Sequence, residues 1–274
     1  MNTLNLSVSE KKAFYQSLSG LARTNVYKAL GISALVQLNS SAKMEHTYKN
    51  KKALEFLLYL QPVQLDNFVT CPMCEHCKQN CLVGSGRDKM YAKRKENPLR
   101  RAKRIRTELF YYNRELFMRI LCAEIDKAIT RADELGLKLI VRLNGTSDIS
   151  PLAFRANGKN ILEMYPNLQF VEYTKVVKYL DLMDRYPNLD YTFSYDGYND
   201  DAFRVAITKT RVAVVFHKEL PKFFCGIPVI NGDESDMRCE EPKNVIVGLH
   251  YKPTANSDIS SKFIIKQDDK RISC

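Results

Sequence analysis

The hydrophobic pattern divides the chain into two textures. Up to about residue 135 apolar side chains recur mostly at helical spacing, and from residue 137 onward they come in short, β-branched runs. Ser7 and Glu10 stand at the interval of a capping box, and Val8, Phe14, Leu18 and Leu21 follow at roughly helical intervals. Residues 51–60 (KKALEFLLYL) mix good helix formers with an apolar stripe, so the opening 60 residues read as mostly helical. A single long helix is predicted over residues 97–135, with Leu109, Phe110, Asn113, Phe117, Ile120, Leu121, Ile125 and Ile129 in register. Pro98 suits its first turn and Gly136 its stop.

Six strand-like runs follow, at residues 137–143, 168–173, 189–195, 211–217, 227–231 and 244–251. Helical segments at 161–164, 176–185 and 201–209 separate the first four. Alternating strand and helix predicts parallel βα repeats, and near-continuous apolar strands predict a sheet covered on both faces. The expected fold is α/β, a parallel βα-repeat sheet built as a partial TIM-like barrel or an open layer. One further edge strand is expected at 262–266. Residues 1–110 form a helical, basic amino-terminal part with a Cys-rich loop, and residues 111–274 form the βα-repeat domain, the two making one continuous globule.

Polar side chains gather where the strands end, and in α/β folds ligands bind at the carboxyl ends of parallel strands. Asp148, Lys175, Asp233 and Asp236 are the candidate acid-base groups, and Arg142, Asn144, Ser194, Tyr195, Asn231 and Arg238 the candidate substrate-binding groups.

The 274 residues are 45 % hydrophobic and 27 % charged, as in an ordinary globular protein. No apolar run reaches about 18 residues, and the first 16 lack an apolar signal core, which leads to the expectation of a cytoplasmic address and no membrane. The net charge of +11 belongs to residues 1–110, where 19 Lys and Arg stand against 8 Asp and Glu. Residues 87–106 alone hold ten basic and two acidic side chains. Lys93, Arg94, Lys95, Arg100, Arg101, Lys103, Arg104 and Arg106 are therefore candidate phosphate contacts, with Tyr91, Tyr111 and Tyr112 available to stack on bases, against the alternative of a solvated helix face.

The most specific signal is CPMCEHCKQNC, which sets Cys71, Cys74, Cys77 and Cys81 in the pattern C-x2-C-x2-C-x3-C. Ferredoxin thiolates use this spacing to hold an iron-sulfur cluster. Tetrahedral zinc sites more often take two short pairs separated by a longer arm, so zinc is the competitor, with His76 an alternative ligand and unmetallated thiols the third alternative. If only three sulfurs bind, one iron stays open to a substrate or to S-adenosylmethionine.

Several strings together resemble a group of phage-encoded and related proteins, the gene product eighty-eight domain family, from about residue 39 to residue 252. They are Thr70, Cys71 and Pro72 with Cys77 and Cys81, then RIRTELF (104–110), VRLNGTSDI (141–149), YTK (173–175), TFSY (192–195), VAVVF (212–216), GIPVINGDESDMR (226–238), EP (241–242) and VIVGL (245–249). The resemblance rests on Cys71, Cys77 and Cys81, with Cys74 an addition. Leu82 stands where the family has an aromatic, and His250 where a basic residue is usual. The family brings no assigned activity, and a phage setting would place the protein in the host cytoplasm. Cysteines beside a βα-repeat domain are similar in layout to radical S-adenosylmethionine enzymes, although the usual C-x3-C-x2-C loop is absent.

The resulting expectation is an iron-sulfur protein, of the 4Fe-4S type, acting as an enzyme on a nucleotide, nucleic acid or other anionic substrate at the strand ends. Two alternatives stand beside it: a nucleic-acid-binding protein with a structural zinc or iron-sulfur centre, and an interaction protein that binds a host factor and catalyses nothing.

Overall fold

The computed structural model describes residues 3–38, 42–81, 90, 91, 94, 96–253 and 258–272. The chain opens with helices α1 (Val8–Ser17) and α2 (Arg23–Leu30). The capping box forms as expected, with Ser7 Oγ accepting from Glu10 N at 3.3 Å and Ser7 N donating to Glu10 Oε2 at 2.7 Å. Strand β1 (Val36–Leu38) and helix α3 (Ala42–Lys51) precede β2 (Ala53–Leu58).

Strand β2 corrects the helical expectation for residues 51–60. All six of its residues are buried: Leu54, Phe56 and Leu58 pack into the main core, and Ala53 into a second cluster with Ile140, Val171 and Met237. A run apolar on both sides fits the middle of a parallel sheet, and burial on two faces outweighs the modest helix propensity of Ala, Leu and Glu.

The short hairpin of β3 (Gln64–Leu65) and β4 (Phe68–Val69) leads into the cysteine loop. Two helices then stand where one was expected, α4 (Pro98–Tyr112) and α5 (Arg114–Leu135). The break is at Asn113, whose backbone leaves the helical region at φ −146° and ψ 74°. Its buried amide does more outside a helix than inside one: Oδ1 accepts from Leu116 N, capping α5, and Nδ2 donates to Tyr15 O and Ser19 Oγ, both at 2.8 Å.

The remaining elements follow the expected alternation: β5 (Lys138–Arg142), hairpin β6 (Arg155–Ala156) and β7 (Lys159–Asn160), α6 (Ile161–Met164), β8 (Gln169–Thr174), α7 (Leu182–Arg185), β9 (Leu189–Ser194), α8 (Asp200–Lys209) and β10 (Arg211–Phe216). After them come β11 (Phe223–Phe224), β12 (Ile227–Asn231), β13 (Ile246–His250) and β14 (Ile264–Ile265).

The main sheet runs β1-β2-β5-β8-β9-β10-β13-β12-β11. Neighbours from β2 to β12 are parallel, and β1 and β11 close the two borders as antiparallel strands. From β2 to β13 the order never reverses, so the sheet is singly wound, as a barrel wall is, but its borders keep it open. Strand β14 falls within the expected 262–266 and has one partner, lying parallel to β10 at Val215 and Phe216, on the side where β9 has already ended.

Side-chain alternation sorts the two faces. Leu54, Phe56, Val141, Phe170, Phe193, Val212 and Val214 face the large core with α4 and α5. The other face is crossed by residues 232–241. This strap starts at the carboxyl edge, where Gly232 N donates to Gly248 O at 2.8 Å. It ends at the amino edge, where Glu240 meets Lys138 at 3.1 Å and Arg211 donates to Glu241 O at 3.0 Å. The sheet joins β2 to β5 directly, and α4 spans the 110/111 boundary. Among the described residues no helix is long and apolar enough to cross a membrane.

Candidate functional site

Parallel strands bring their carboxyl ends to one edge, and the cysteine loop follows the first of them. Three hydrogen bonds pin it there. Asp148 N, beyond β5, donates to Thr70 O at 2.8 Å, Lys175 N, beyond β8, donates to Asp148 Oδ2 at 2.9 Å, and Lys175 Nζ donates to Ser194 Oγ at 3.0 Å. On the far side of the loop, Asn80 and Asp258 exchange two bonds of 3.0 Å, and the His76 ring stacks on Tyr198 at 4.0 Å. Gly197, beside Tyr198, is required for this closure. Its φ is +83°, and a Cβ there would stand 2.1 Å from Lys262 O.

The four thiols are partly buried. Cys71 Sγ accepts from Val63 N at 3.3 Å and lies 3.8 Å from Thr146 O. Burial pushes the Cys71 thiol up to about 12, the Val63 N–H opposes, and Asp148, Cys81 and Cys74 add to the rise. Burial likewise raises Cys77, with the Lys175 ammonium opposing and Cys81, Cys74 and Asp196 adding. Cys71 and Cys77 thus each lie within electrostatic reach of Cys74 and Cys81. Soft sulfur donors of this number suit iron-sulfide or zinc by their chemistry. Among the described residues, however, no three His, Cys, Asp or Glu side chains are gathered closely enough to hold a metal ion.

The other sequence candidates separate into groups. Lys175 and Ser194 stand at the carboxyl edge, the mouth of the sheet, both partly exposed. Asp148 is a brace there, its carboxylate turned to the Lys175 N–H, and burial raises its pKa. Asn144 is also a brace: Oδ1 accepts from Ser147 Oγ and Ile149 N, and Nδ2 donates to Ile149 O. Arg142, Asp236 and Arg238 meet beneath the mouth. Asp236 lies 3.4 Å from Arg142 and 3.7 Å from Arg238, while Arg142 covers the Tyr173 ring and Arg238 Nε donates to Tyr173 OH at 2.6 Å. Arg238 is fully buried and also bonds Glu241 and Gly232 O, so it holds the strap.

Tyr195 is buried on the helical side, donating to Asp200 and accepting from Arg271, each at 2.5 Å. Asn231 and Asp233 belong to the β12 border. Asn231 bonds Glu234, and Asp233 takes His250 Nδ1 at 2.8 Å and Lys252 Nζ at 3.1 Å. Burial works against the Asp233 charge, but the His250 and Lys252 bonds win and lower its pKa.

Sequence reasoning missed Glu172. It is fully buried, and its carboxylate takes Leu143 N at 2.5 Å and Asn144 N at 3.1 Å, which fixes the loop carrying Asp148. Burial raises it to about 7, against the pull of the Leu143 N–H, Arg142 and Asn144.

Most of the described basic-segment arginines are turned inward. Arg101 donates to Leu30 O and Gly31 O, capping α2; Arg104 bonds Thr3 and Glu108; Arg106 donates to Ala34 O at 3.1 Å. Lys103 stands 5.9 Å from the Tyr59 ring. Arg94 and Arg100 are exposed, whereas Lys93 and Lys95 lie outside the described residues. Tyr111 stacks on Phe68 at 4.1 Å and Tyr112 donates to Asp66, so neither ring is free to take a base. A cleft of about 820 Å³ opens at the opposite, amino edge of the sheet, between Ile129, Met164, Leu168 and Met237. It is distant from the cysteine loop and mainly apolar.

The gene product 88 family pattern matches residues 33–267. The chain belongs to the gene product 88 family. The match takes in the cysteine loop, every strand of the sheet and the strap, and leaves α1 and α2 outside. No curated protein and no solved structure matches the chain.

Proposed function

We propose that this member of the gene product 88 family is an iron-sulfur enzyme whose cluster, on binding, would draw the sulfurs of Cys71, Cys74, Cys77 and Cys81 together from their present spacing, and whose substrate, an anionic molecule such as a nucleotide or nucleic acid, enters the mouth beside it. The observation that supports this most is the bonded path from Thr70 through Asp148 and Lys175 to Ser194, which couples the cysteine loop to three strand ends. A loop serving only as a surface staple has no need of that connection. When bound, the cluster would supply electron transfer, and if Cys74 stayed outside the ligand set its fourth iron would be open to S-adenosylmethionine.

The chain's own residues define what surrounds it. The Val63 N–H directed at Cys71 Sγ stabilises a thiolate there, and the Lys175 ammonium does the same for Cys77. The Asn80–Asp258 bonds and the His76–Tyr198 stack tie the loop to residues 258 and 198. Anaerobic purification tests the reading: the wild-type protein is expected to be brown, with visible charge-transfer absorbance, and Cys77→Ala to lose that colour. A colourless wild-type protein after reconstitution with iron and sulfide would refute it.

A further inference from the structure

The cations around the mouth are not equivalent. Arg142 and Arg238 share Asp236, Lys252 is paired with Asp233 at 3.1 Å, and Arg271 with Asp269 at 2.7 Å. Lys175 differs. Among the described residues its ammonium bonds no carboxylate, only the neutral Ser194 hydroxyl at 3.0 Å, and it stands 5.8 Å from the Phe263 ring. The nearby acids are engaged elsewhere: Asp148 takes the Lys175 backbone N–H, and Asp196 takes Tyr198 N and Asn199 N.

An ammonium carries three donors, so two are left for a ligand. Ser194 Oγ accepts from Lys175 and keeps its own hydrogen to give. The donors number three, two on the ammonium and one on the hydroxyl, and they converge on one point at the ends of β8 and β9, which suits an oxyanion.

We propose that Lys175 and Ser194 form the subsite for an oxyanion of the substrate, a carboxylate or a phosphodiester. The subsite rests on the mouth being the substrate site, as put forward above. It gives Lys175 a substrate-binding role and excludes Asp148, Asp233 and Asp236 from direct contact with that group.

The probes are sodium acetate and sodium dimethyl phosphate, titrated at constant ionic strength against chloride, with the thermal unfolding midpoint as readout. The wild-type midpoint should rise saturably with at least one probe. The stronger of the two responses tells a carboxylate from a phosphodiester. Loss of a charge-assisted bond should weaken the apparent Kd by roughly tenfold or more in Lys175→Met, while Lys175→Arg keeps binding within a few-fold. Should Lys175→Met fail to fold, Ser194→Ala carries the test, with an expected loss of about two- to tenfold. An identical response in wild type and variants, or no response of the wild type to either probe, overturns the subsite. Iron and sulfide measured on the same samples keep the two ideas apart. Lys175-dependent binding without a cluster removes the iron-sulfur reading alone, and a full cluster with Lys175-independent binding removes the subsite alone.

Discussion

Replacing Glu172 with Gln should change how stability depends on pH. Glu172 is fully buried under the loop that follows β5, and burial raises its carboxyl to about 7 from an ordinary 4.5. The folded chain therefore holds a proton that the unfolded chain has released over this interval, and stability falls as pH rises through it. The contribution is fully present below about pH 4.5 and lost above about pH 7. At 1.36 kcal/mol per pH unit, the loss is about 3 kcal/mol. Gln is isosteric with the protonated acid and does not titrate. The stability of Glu172→Gln relative to wild type should accordingly rise by about 3 kcal/mol between pH 4.5 and pH 8. Urea unfolding of both proteins across that range isolates this one group, because every other titrating side chain is common to the pair. A difference that stays constant with pH would refute the reasoning and show that the Leu143 and Asn144 N–H groups hold Glu172 ionised at low pH.

Gly197→Ala places a Cβ 2.1 Å from Lys262 O at a φ of +83°, so it should cost about 2–4 kcal/mol in chemical unfolding and loosen the contact between residues 197–198 and 262. Asn113→Ala removes the α5 cap and the bonds to Tyr15 O and Ser19 Oγ. It should lower stability by about 1–3 kcal/mol, and an unchanged midpoint would mean that α4 and α5 join as readily without the break.

The strands after residue 137 were legible because each is a short apolar run bounded by turn residues, and from β5 to β10 their order in the sheet follows their order in the chain. Strand β2 was not, since its leucines and alanine are equally good helix formers and only the neighbouring β1 and β5 decide its state. Asn113 sits on the apolar register of a continuous helix, and its role as a cap appears only once Tyr15 and Ser19 are packed beside it.

At the site, the positions of Lys175 and Ser194 at strand ends could be read from the sequence. Their pairing follows from the β8–β9 register, which sets Thr174 beside Phe193 and thus Lys175 beside Ser194. The carboxylates were harder to read. Asp148, Asp233 and Asp236 look alike as acids after strands, yet the first ties a loop, the second holds His250 and Lys252, and the third neutralises Arg142. Such commitments depend on partners distant in the chain. For the same reason the density of positive charge between residues 87 and 106 overstated the outward-facing surface: Arg101, Arg104 and Arg106 are internal donors.

The loop of Cys71, Cys74, Cys77 and Cys81 is expected to carry iron and sulfide. The most direct test of this is the quantification of iron, zinc and acid-labile sulfide per chain in protein isolated without oxygen. About four irons and four sulfides are expected for a 4Fe-4S cluster. One zinc with no sulfide, or thiols that bind neither metal, would contradict it.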